Sequence, residues 1–152
     1  MTLADVLPAD AIVEPKGRYL ADLMGRGVKG TADAVVLPST AEEVAATMRW
    51  CYENDVALTA RGGGTGLAGG AIPVQGGVVI VFERLNRVRQ FDPLLWRIHV
   101  EAGVTTGDIQ RLARENGLRF PPDPGAAEIS QIGGNIACNA GGPHAFKYGV
   151  TG

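Results

Sequence analysis

The chain has 152 residues, a length that predicts one domain large enough to bury a core. Hydrophobic residues make up 45% of it and charged residues 20%, and the net charge is −2, which fits a soluble globular protein and excludes a basic nucleic-acid-binding surface. Glycine is the unusual component, because many of its 22 copies cluster at 62–70, 76–77 and 133–142.

Nothing in the sequence predicts export or membrane insertion. Residues 1–14 lack the basic start and the unbroken apolar core of a signal peptide, and the longest purely apolar run, Val78 to Phe82, is too short to cross a bilayer. Cys51 and Cys138 lie far apart and outside any Cys-x-x-Cys motif, which favours free thiols in a reducing compartment. We therefore expect a cytoplasmic protein with no transmembrane segment, no nucleic-acid partner and no metal site.

The first half of the chain has the pattern of a small α/β unit. Short apolar runs predict strands over 34–37, 56–60 and 78–82, and we expect the first pair to be parallel. Before them, short helices are predicted near 3–7 and 19–24.

A helix is predicted between the first two of these strands, ending at Asn54. One capping box for its start pairs Ser39 with Glu42. An alternative box, shifted by one residue, pairs Thr40 with Glu43, and the sequence leaves the choice open. The residues expected on its buried face recur at helical spacing: Val44, Met48 and Cys51.

The second half begins with a pattern of consecutive strands instead of alternating strands and helices. Strands over 85–91 and 97–102 are predicted to form an antiparallel pair joined by a tight turn. In the second strand Arg97, His99 and Glu101 share one face, so His99 should point to solvent and have no chemical role. A helix follows over about 106–116; its predicted cap is Thr105, with Asp108 at the third position.

The longest glycine cluster runs from Arg61 to Gly70, directly after the predicted strand 56–60. Six of its ten residues lack a Cβ, so the backbone can approach a ligand closely. Consecutive N–H groups in such a turn form a concave nest for phosphate oxygens. Arg61 would add a cation and Thr65 a hydroxyl. The loop is predicted to be a diphosphate cradle, with a plain glycine-rich turn as the simpler alternative.

A Rossmann nicotinamide site is disfavoured for the same loop. Gly64 to Gly69 matches G-x-G-x-x-G, but a Rossmann motif must open a helix whose N-terminus faces the pyrophosphate. Pro73 and the Gly76-Gly77 pair precede the next strand, and they leave no room for that helix.

A second candidate ligand region lies near the C-terminal end. Pro121 to Gly125 is predicted to be stiff and extended, because each proline fixes φ near −65°. From Ile129 to Gly142, small and amide residues alternate with apolar ones, a pattern we interpret as backbone laid along a flat, polar-edged ring. Together the two glycine regions are long enough for a dinucleotide-sized ligand.

Four ordered motifs make the chain resemble the FAD-linked oxidase family, whose FAD-binding domain is of the vanillyl-alcohol oxidase type. The motifs are Arg61–Gly66, Pro121–Gly125, Ile132–Ala137 and Asn139–Gly142, closing with Lys147–Val150. Within that family, the chain resembles the glycolate oxidase flavoprotein subunit and the D-lactate and D-2-hydroxyglutarate dehydrogenases.

The resemblance implies an α+β fold that is truncated at its C-terminus. Its first subdomain, a small α/β unit, would cover 1–83 and carry the diphosphate loop 60–70. Its second, the start of an antiparallel β subdomain, would cover 84–152 and carry a flavin-contacting loop over 121–142.

The implied function is to bind FAD in an enzyme that oxidises a D-2-hydroxy acid by hydride transfer to the flavin. Residues 60–66 would hold the diphosphate, and 125–131 and 138–141 would lie along the flavin and its ribityl chain. No catalytic residue is implied. The implied cofactor-binding residues are Ala60, Arg61, Gly62, Gly63, Gly64, Thr65, Gly66, Pro124, Gly125, Ser130, Gln131, Gly133, Gly134, Asn135, Cys138, Asn139, Ala140 and Gly141.

Three positions depart from the family pattern. Relatives with covalent flavin carry a His where this chain has Thr65, so the flavin is expected to be non-covalent. Gln131 and Cys138 stand where relatives usually have threonine, and Cys138 is either a weak S–H donor or a small packed residue.

His144, near the presumed flavin, is expected to be a surface or interdomain residue rather than a proton shuttle.

The resemblance also places the 2-hydroxy-acid substrate in a cap domain that lies outside these 152 residues, and it allows other oxidase subunits as partners. We therefore expect the chain alone to bind FAD weakly and not to turn over substrate. The alternative is a non-catalytic truncated fragment with little or no FAD binding.

Overall fold

The computed structural model describes residues 2–23 and 27–152. The chain divides into two compact units, Met1–Arg84 and Leu85–Gly152, called the first and the second unit below. Within the described residues, no helix has both the length and the apolar character needed to cross a membrane.

The first unit contains a four-stranded sheet in the order β1-β2-β4-β3. The strands are β1 (Ile12–Val13), β2 (Ala34–Val36), β3 (Leu58–Arg61) and β4 (Val78–Val81). Both β2 and β3 pair in parallel with β4, and β1 pairs antiparallel with β2. The three predicted strands are confirmed. The predicted first pair is not a direct one, because β4 lies between β2 and β3.

Helix α1 (Ala41–Glu53) connects β2 to β3. Its N-cap is Thr40, whose hydroxyl accepts a hydrogen bond from the N–H of Glu43 at 3.2 Å. The Glu43 carboxylate in turn accepts from the N–H of Ser39, one residue before the cap, at 2.7 Å, so each of the two residues satisfies a backbone donor at the helix start. The structure selects Thr40 with Glu43, and the alternative box of Ser39 with Glu42 is wrong.

The buried face of α1 differs from the predicted one at one position. Met48 is 54% exposed, whereas Thr47 and Cys51 are buried. Thr47 can replace an apolar residue because its hydroxyl donates to the Glu43 carbonyl at 2.7 Å, which removes the cost of burying it. Cys51 is confirmed as a core residue, and burial raises the pKa of its thiol.

Both faces of the sheet are covered by apolar side chains. One face packs with Leu3, Leu7 and Cys51, and the other with Tyr19 and Leu37. The short helix predicted near 3–7 is a single 3₁₀ turn, Leu3–Asp5. The helix predicted over 19–24 is wrong for its described part, because the 3₁₀ turn Gly17–Tyr19 ends where that helix should begin and residues 20–23 are not helical; Met24 lies outside the described residues. The carboxyl end of β3, where the long glycine cluster begins, is therefore part of a sheet with apolar packing on both faces.

The second unit starts with an antiparallel hairpin of β5 (Val88–Asp92) and β6 (Arg97–Val100), which confirms the predicted pair. Three helices follow: α2 (Thr106–Glu115), α3 (Ile132–Ala137) and α4 (Ala145–Tyr148). Helix α2 is capped as predicted, because the Thr105 hydroxyl accepts from the Asp108 N–H at 3.1 Å. The apolar core of the unit is formed by Val104, Ile109 and Ile132.

His99 is exposed, as predicted, but its neighbour on the same predicted face, Glu101, is buried. The Glu101 carboxylate accepts from the Arg87 N–H at 2.8 Å and from the Arg89 guanidinium at 2.8 Å. Hydrogen bonds from Arg87 are the main cause that lowers the pKa of Glu101 to about 2. Paired arginines thus make burial of this carboxylate possible.

The segment 121–142, predicted to be a loop, contains the short helix α3, which was not predicted. The first N–H groups of that helix find acceptors outside it: Ile132 donates to the Val104 carbonyl and Gly133 to the Ala102 carbonyl, both at 2.9 Å. Ile132 and Asn135 then point inwards at helical spacing. The buried residues of this stretch therefore recur at the spacing of a helix.

Candidate functional site: two glycine-rich regions

The long glycine cluster begins at the carboxyl end of β3, the end at which ligands bind in parallel sheets. From residue 62 to 77 the chain forms turns and bends without a helix, and then enters β4. The helix that a Rossmann site requires is therefore absent from this stretch, in agreement with the prediction from Pro73 and the glycine pair.

Three contacts tie this loop to residues 21–23. The Arg61 Nη1 donates to the Ala21 carbonyl at 2.6 Å. The Gly64 carbonyl accepts from the Leu23 N–H at 3.0 Å, and the Gly69 N–H donates to the Asp22 carboxylate at 3.0 Å. The loop is thus held at its beginning, its middle and its end.

Arg61 is buried, with 8% of its surface exposed. Its guanidinium lies against Gly64, so that a Cβ added there would overlap it, and Gly64 has a φ of +67°. Burial lowers the pKa of Arg61, while the carboxylates of Glu83 and Asp22 act in the opposite direction. The predicted free cation for a phosphate is therefore a side chain already bound to its own chain.

Several N–H groups of the loop have no acceptor among the described residues. Those of Gly62, Gly63 and Gly66 donate to no acceptor in residues 2–23 or 27–152. A Cβ added at Gly66 or Gly70 would meet nothing within 4 Å, so the chain itself leaves space above these residues. Backbone N–H donors without acceptors, with open space beside Gly66, fit the oxygens of a diphosphate.

In the second unit, buried polar side chains bind one another. Thr106 Oγ1 and Ser130 Oγ are 2.9 Å apart, and the Asn135 amide donates to Thr106 Oγ1 at 2.5 Å. Ser130 and Asn135, both predicted to contact the cofactor, therefore have their side chains engaged inside the unit. Thr106 was missed, because a threonine that follows a capping threonine has no pattern of its own in the sequence.

The side chain of Gln131, unlike those of Ser130 and Asn135, has an unsatisfied polar atom. It is 7% exposed, and its Oε1 is buried with no hydrogen-bond partner among the described residues. A buried amide oxygen without a donor is costly, by about 1–3 kcal/mol. A flavin ring carries N–H groups that can satisfy such an acceptor, so Gln131 fits its predicted place at the cofactor.

The remaining predicted residues vary in exposure. Gly125, Cys138 and Asn139 are exposed, which disfavours the packed alternative for Cys138. At Gly133 an added Cβ would lie 2.8 Å from the Cβ of Ala102, so close packing within the unit accounts for this glycine. The half-buried residues are Pro124, Gly134, Ala140 and Gly141; Ala60, in β3, is exposed.

The Pro121–Gly125 arm is held by side chains of the same unit. Gln110 Nε2 donates to the Pro122 carbonyl at 2.9 Å, and His144 Nδ1 lies 3.2 Å from the Asp123 carboxylate. His144 is thus paired with a surface carboxylate, which agrees with a packing role.

A sequence model of the family described as "FAD binding domain" matches residues 32–152. The glycolate oxidase subunit GlcD of Bacillus subtilis (strain 168) is 41% identical over 119 residues, which cover 78% of this chain and 25% of that protein. The D-lactate dehydrogenase of Anaerostipes hadrus is 38% identical over 146 residues, which cover 96% of this chain and 30% of that protein.

Among solved structures, alkyldihydroxyacetonephosphate synthase matches 98% of this chain and 30% of its own, with a TM-score of 0.84 at 24% identity, which shows the fold alone. The chain spans a quarter to a third of the length of the relatives named above. The resemblance and the fold class predicted from the motifs are confirmed, and the alternative of a fragment with little or no FAD binding is not favoured.

Proposed function

Because the chain belongs to the family of FAD-binding domains, we propose that it holds FAD non-covalently in an oxidoreductase that oxidises a D-2-hydroxy acid. The single observation that carries the proposal is the anchored glycine loop, whose N–H groups at Gly62, Gly63 and Gly66 lack acceptors in the described chain. These donors suit the diphosphate, which is the charged centre of FAD.

The substrate class is argued from the relatives. The two relatives described above are named as a glycolate oxidase subunit and a D-lactate dehydrogenase. Glycolate and D-lactate both carry a hydroxyl on the carbon next to a carboxylate. Bound FAD would supply the acceptor for the hydride that leaves this carbon. The part of the chain in hand binds and orients the cofactor, and we assign none of its residues to proton transfer.

The individual residues contribute in different ways. In the first unit, Ala60 to Gly66 would bind the diphosphate through backbone N–H groups. In the second unit, Gln131 would bind through its side chain, whereas Ser130 and Asn135 would contribute only backbone, because their side chains are already bonded. The other members of this set are Pro124, Gly125, Gly133, Gly134, Cys138, Asn139, Ala140 and Gly141.

Attachment and location follow from single residues. Thr65 has no imidazole with which to form a covalent flavin bond, so the flavin should be released on denaturation. The two cysteines, Cys51 and Cys138, are both free, which favours a reducing compartment such as the cytoplasm.

The test is a titration of the purified chain with FAD, followed by flavin fluorescence, and then precipitation of the complex with acid. We expect saturable binding and a colourless pellet, with all flavin in the supernatant. Absence of binding at millimolar FAD would contradict the cofactor assignment. Flavin fluorescence that stays with the denatured chain on a gel would contradict the non-covalent assignment.

A further inference from the structure

A buried arginine at the end of β3 is the starting point. Arg61 is 8% exposed, whereas the side chain of Arg18, a cation in the same unit, is 66% exposed. Burying an arginine is costly unless its charge is paired and its N–H groups are hydrogen-bonded, because the guanidinium stays protonated. Because Arg61 directly precedes Gly62, the contacts of its side chain bear on the position of the glycine loop.

The contacts of Arg61 meet those of the loop on one short segment. Its Nη1 binds the Ala21 carbonyl, while the loop itself binds Leu23 through the Gly64 carbonyl and Asp22 through the Gly69 N–H. Residues 21–23 are therefore bound from three points of the loop. The guanidinium also fills the space beneath Gly64, where a Cβ would overlap it.

We propose that Arg61 is the positioning residue of the glycine loop rather than a direct counter-ion of the diphosphate. By holding the Ala21 carbonyl and supporting the Gly64 turn, it keeps segment 21–23 on the loop and the N–H groups of Gly62, Gly63 and Gly66 turned outwards before a ligand arrives. This inference rests on the proposed function, because the benefit of a preformed loop is to bind FAD.

A counter-ion and a positioning residue respond differently to substitution. If only positive charge near the phosphates matters, Arg61→Lys should behave like the natural protein. If the guanidinium geometry matters, lysine should fail, because one ammonium group cannot both reach the Ala21 carbonyl and fill the planar space under Gly64. Arg61→Met removes charge and geometry together. Arg18→Met is the matched control, since it removes an exposed cation that lies 3.6 Å from Glu83 in the same unit.

The first measurement needs no cofactor. Hydrogen exchange of the Leu23 and Gly69 N–H groups, followed by NMR, reports whether segment 21–23 stays on the loop. We expect exchange at least tenfold faster in Arg61→Met and in Arg61→Lys, and unchanged exchange in Arg18→Met. Unchanged exchange in Arg61→Met would overturn the proposal, whether or not the chain binds FAD.

The second measurement compares FAD with riboflavin, which lacks the diphosphate. We expect both Arg61 variants to bind FAD at least tenfold more weakly than the natural chain, with riboflavin binding unchanged. Natural affinity for FAD in Arg61→Lys would show that charge alone is sufficient, and an equal loss of riboflavin binding would show a general defect; either result overturns the proposal. If the natural chain binds no FAD, the proposed function fails, and the exchange experiment still decides the role of Arg61.

Discussion

The glycine cluster 61–70 and the segment 124–141 satisfy their polar groups in opposite ways. In the first, side chains hold the loop from behind, and backbone N–H groups at Gly62, Gly63 and Gly66 are left without acceptors in the described chain. In the second, the side chains of Ser130 and Asn135 are bonded to Thr106. The glycine loop thus leaves backbone donors without acceptors, whereas the polar segment uses its side chains to stabilise its own unit.

The largest effect should come from a side chain placed in the first region. In Gly64→Val the new side chain must adopt a φ of +67° and overlaps the Arg61 guanidinium. We expect a loss of about 3 kcal/mol or more in the unfolding free energy of the first unit and FAD affinity lowered by about 100-fold or more. Urea unfolding and FAD titration measure the two effects.

Gly66→Ala is the matched control for that variant, because an added Cβ at Gly66 meets nothing within 4 Å. Its stability should stay within about 0.5 kcal/mol of the natural chain. A stable Gly64→Val protein with natural FAD affinity would remove the loop from the site.

The second region should show the reverse profile. In Asn135→Ala the hydroxyls of Thr106 and Ser130 lose their amide donor in a buried position. We expect a loss of about 2–3 kcal/mol in unfolding free energy, with FAD affinity changed less than threefold for the protein that remains folded. Asn86→Ala, at an exposed position of the same unit, is the control and should be neutral in stability. An Asn135→Ala chain that is fully stable but no longer binds FAD would reverse the comparison.

A pH experiment tests the second unit apart from any ligand. The pKa of Glu101 falls from an ordinary 4.5 to about 2 in the folded chain, mainly through Arg87. A carboxyl whose folded pKa is depressed stabilises the fold above its unfolded pKa, and this contribution is lost as the pH falls from about 4.5 to about 2.

Glu101→Gln should therefore lose about 2 kcal/mol at neutral pH, a value kept modest because the partner arginines are half exposed to water. The gap between variant and natural chain should narrow on acidification. Unfolding curves between pH 7 and pH 2 measure it, and a constant gap would show that the carboxylate charge is not the cause.

The smallest expected effects come from a substitution at Gln131, which should raise the stability of the chain and lower its affinity for FAD. Gln131→Leu removes the buried Oε1 that has no partner among the described residues, so the chain without cofactor should gain up to about 1 kcal/mol in unfolding free energy. If a flavin N–H uses that oxygen, FAD affinity should fall about tenfold. A variant that is less stable and binds FAD normally would show that Gln131 serves only the fold.

The sequence was informative wherever the decisive contacts are local. The helix caps at Thr40 and Thr105 join residues three apart. The glycine cluster lies within ten consecutive residues, so its turn-forming backbone could be predicted without knowing the fold. The network of Thr106, Ser130 and Asn135 was not predicted, because Thr106 lies 24 residues before Ser130 and 29 before Asn135, and only the fold brings it to them.

The error at Glu101 has the same physical origin. Glu101 was placed with its exposed neighbours, but Arg87 and Arg89, which make its burial possible, lie at the start of the facing strand of the hairpin. For Arg61 the charge is visible in the sequence, whereas the acceptor of its Nη1, the Ala21 carbonyl, is 40 residues away. Partners distant in sequence decide the role of a polar side chain.

The most direct test of the central claim is to follow the backbone amides of the isotopically labelled chain by NMR during titration with FAD. The account predicts that the largest chemical-shift changes fall on the N–H groups of Gly62, Gly63 and Gly66, and that riboflavin leaves these three resonances unmoved. Saturable FAD binding that leaves them in place would contradict the claim that this loop holds the diphosphate.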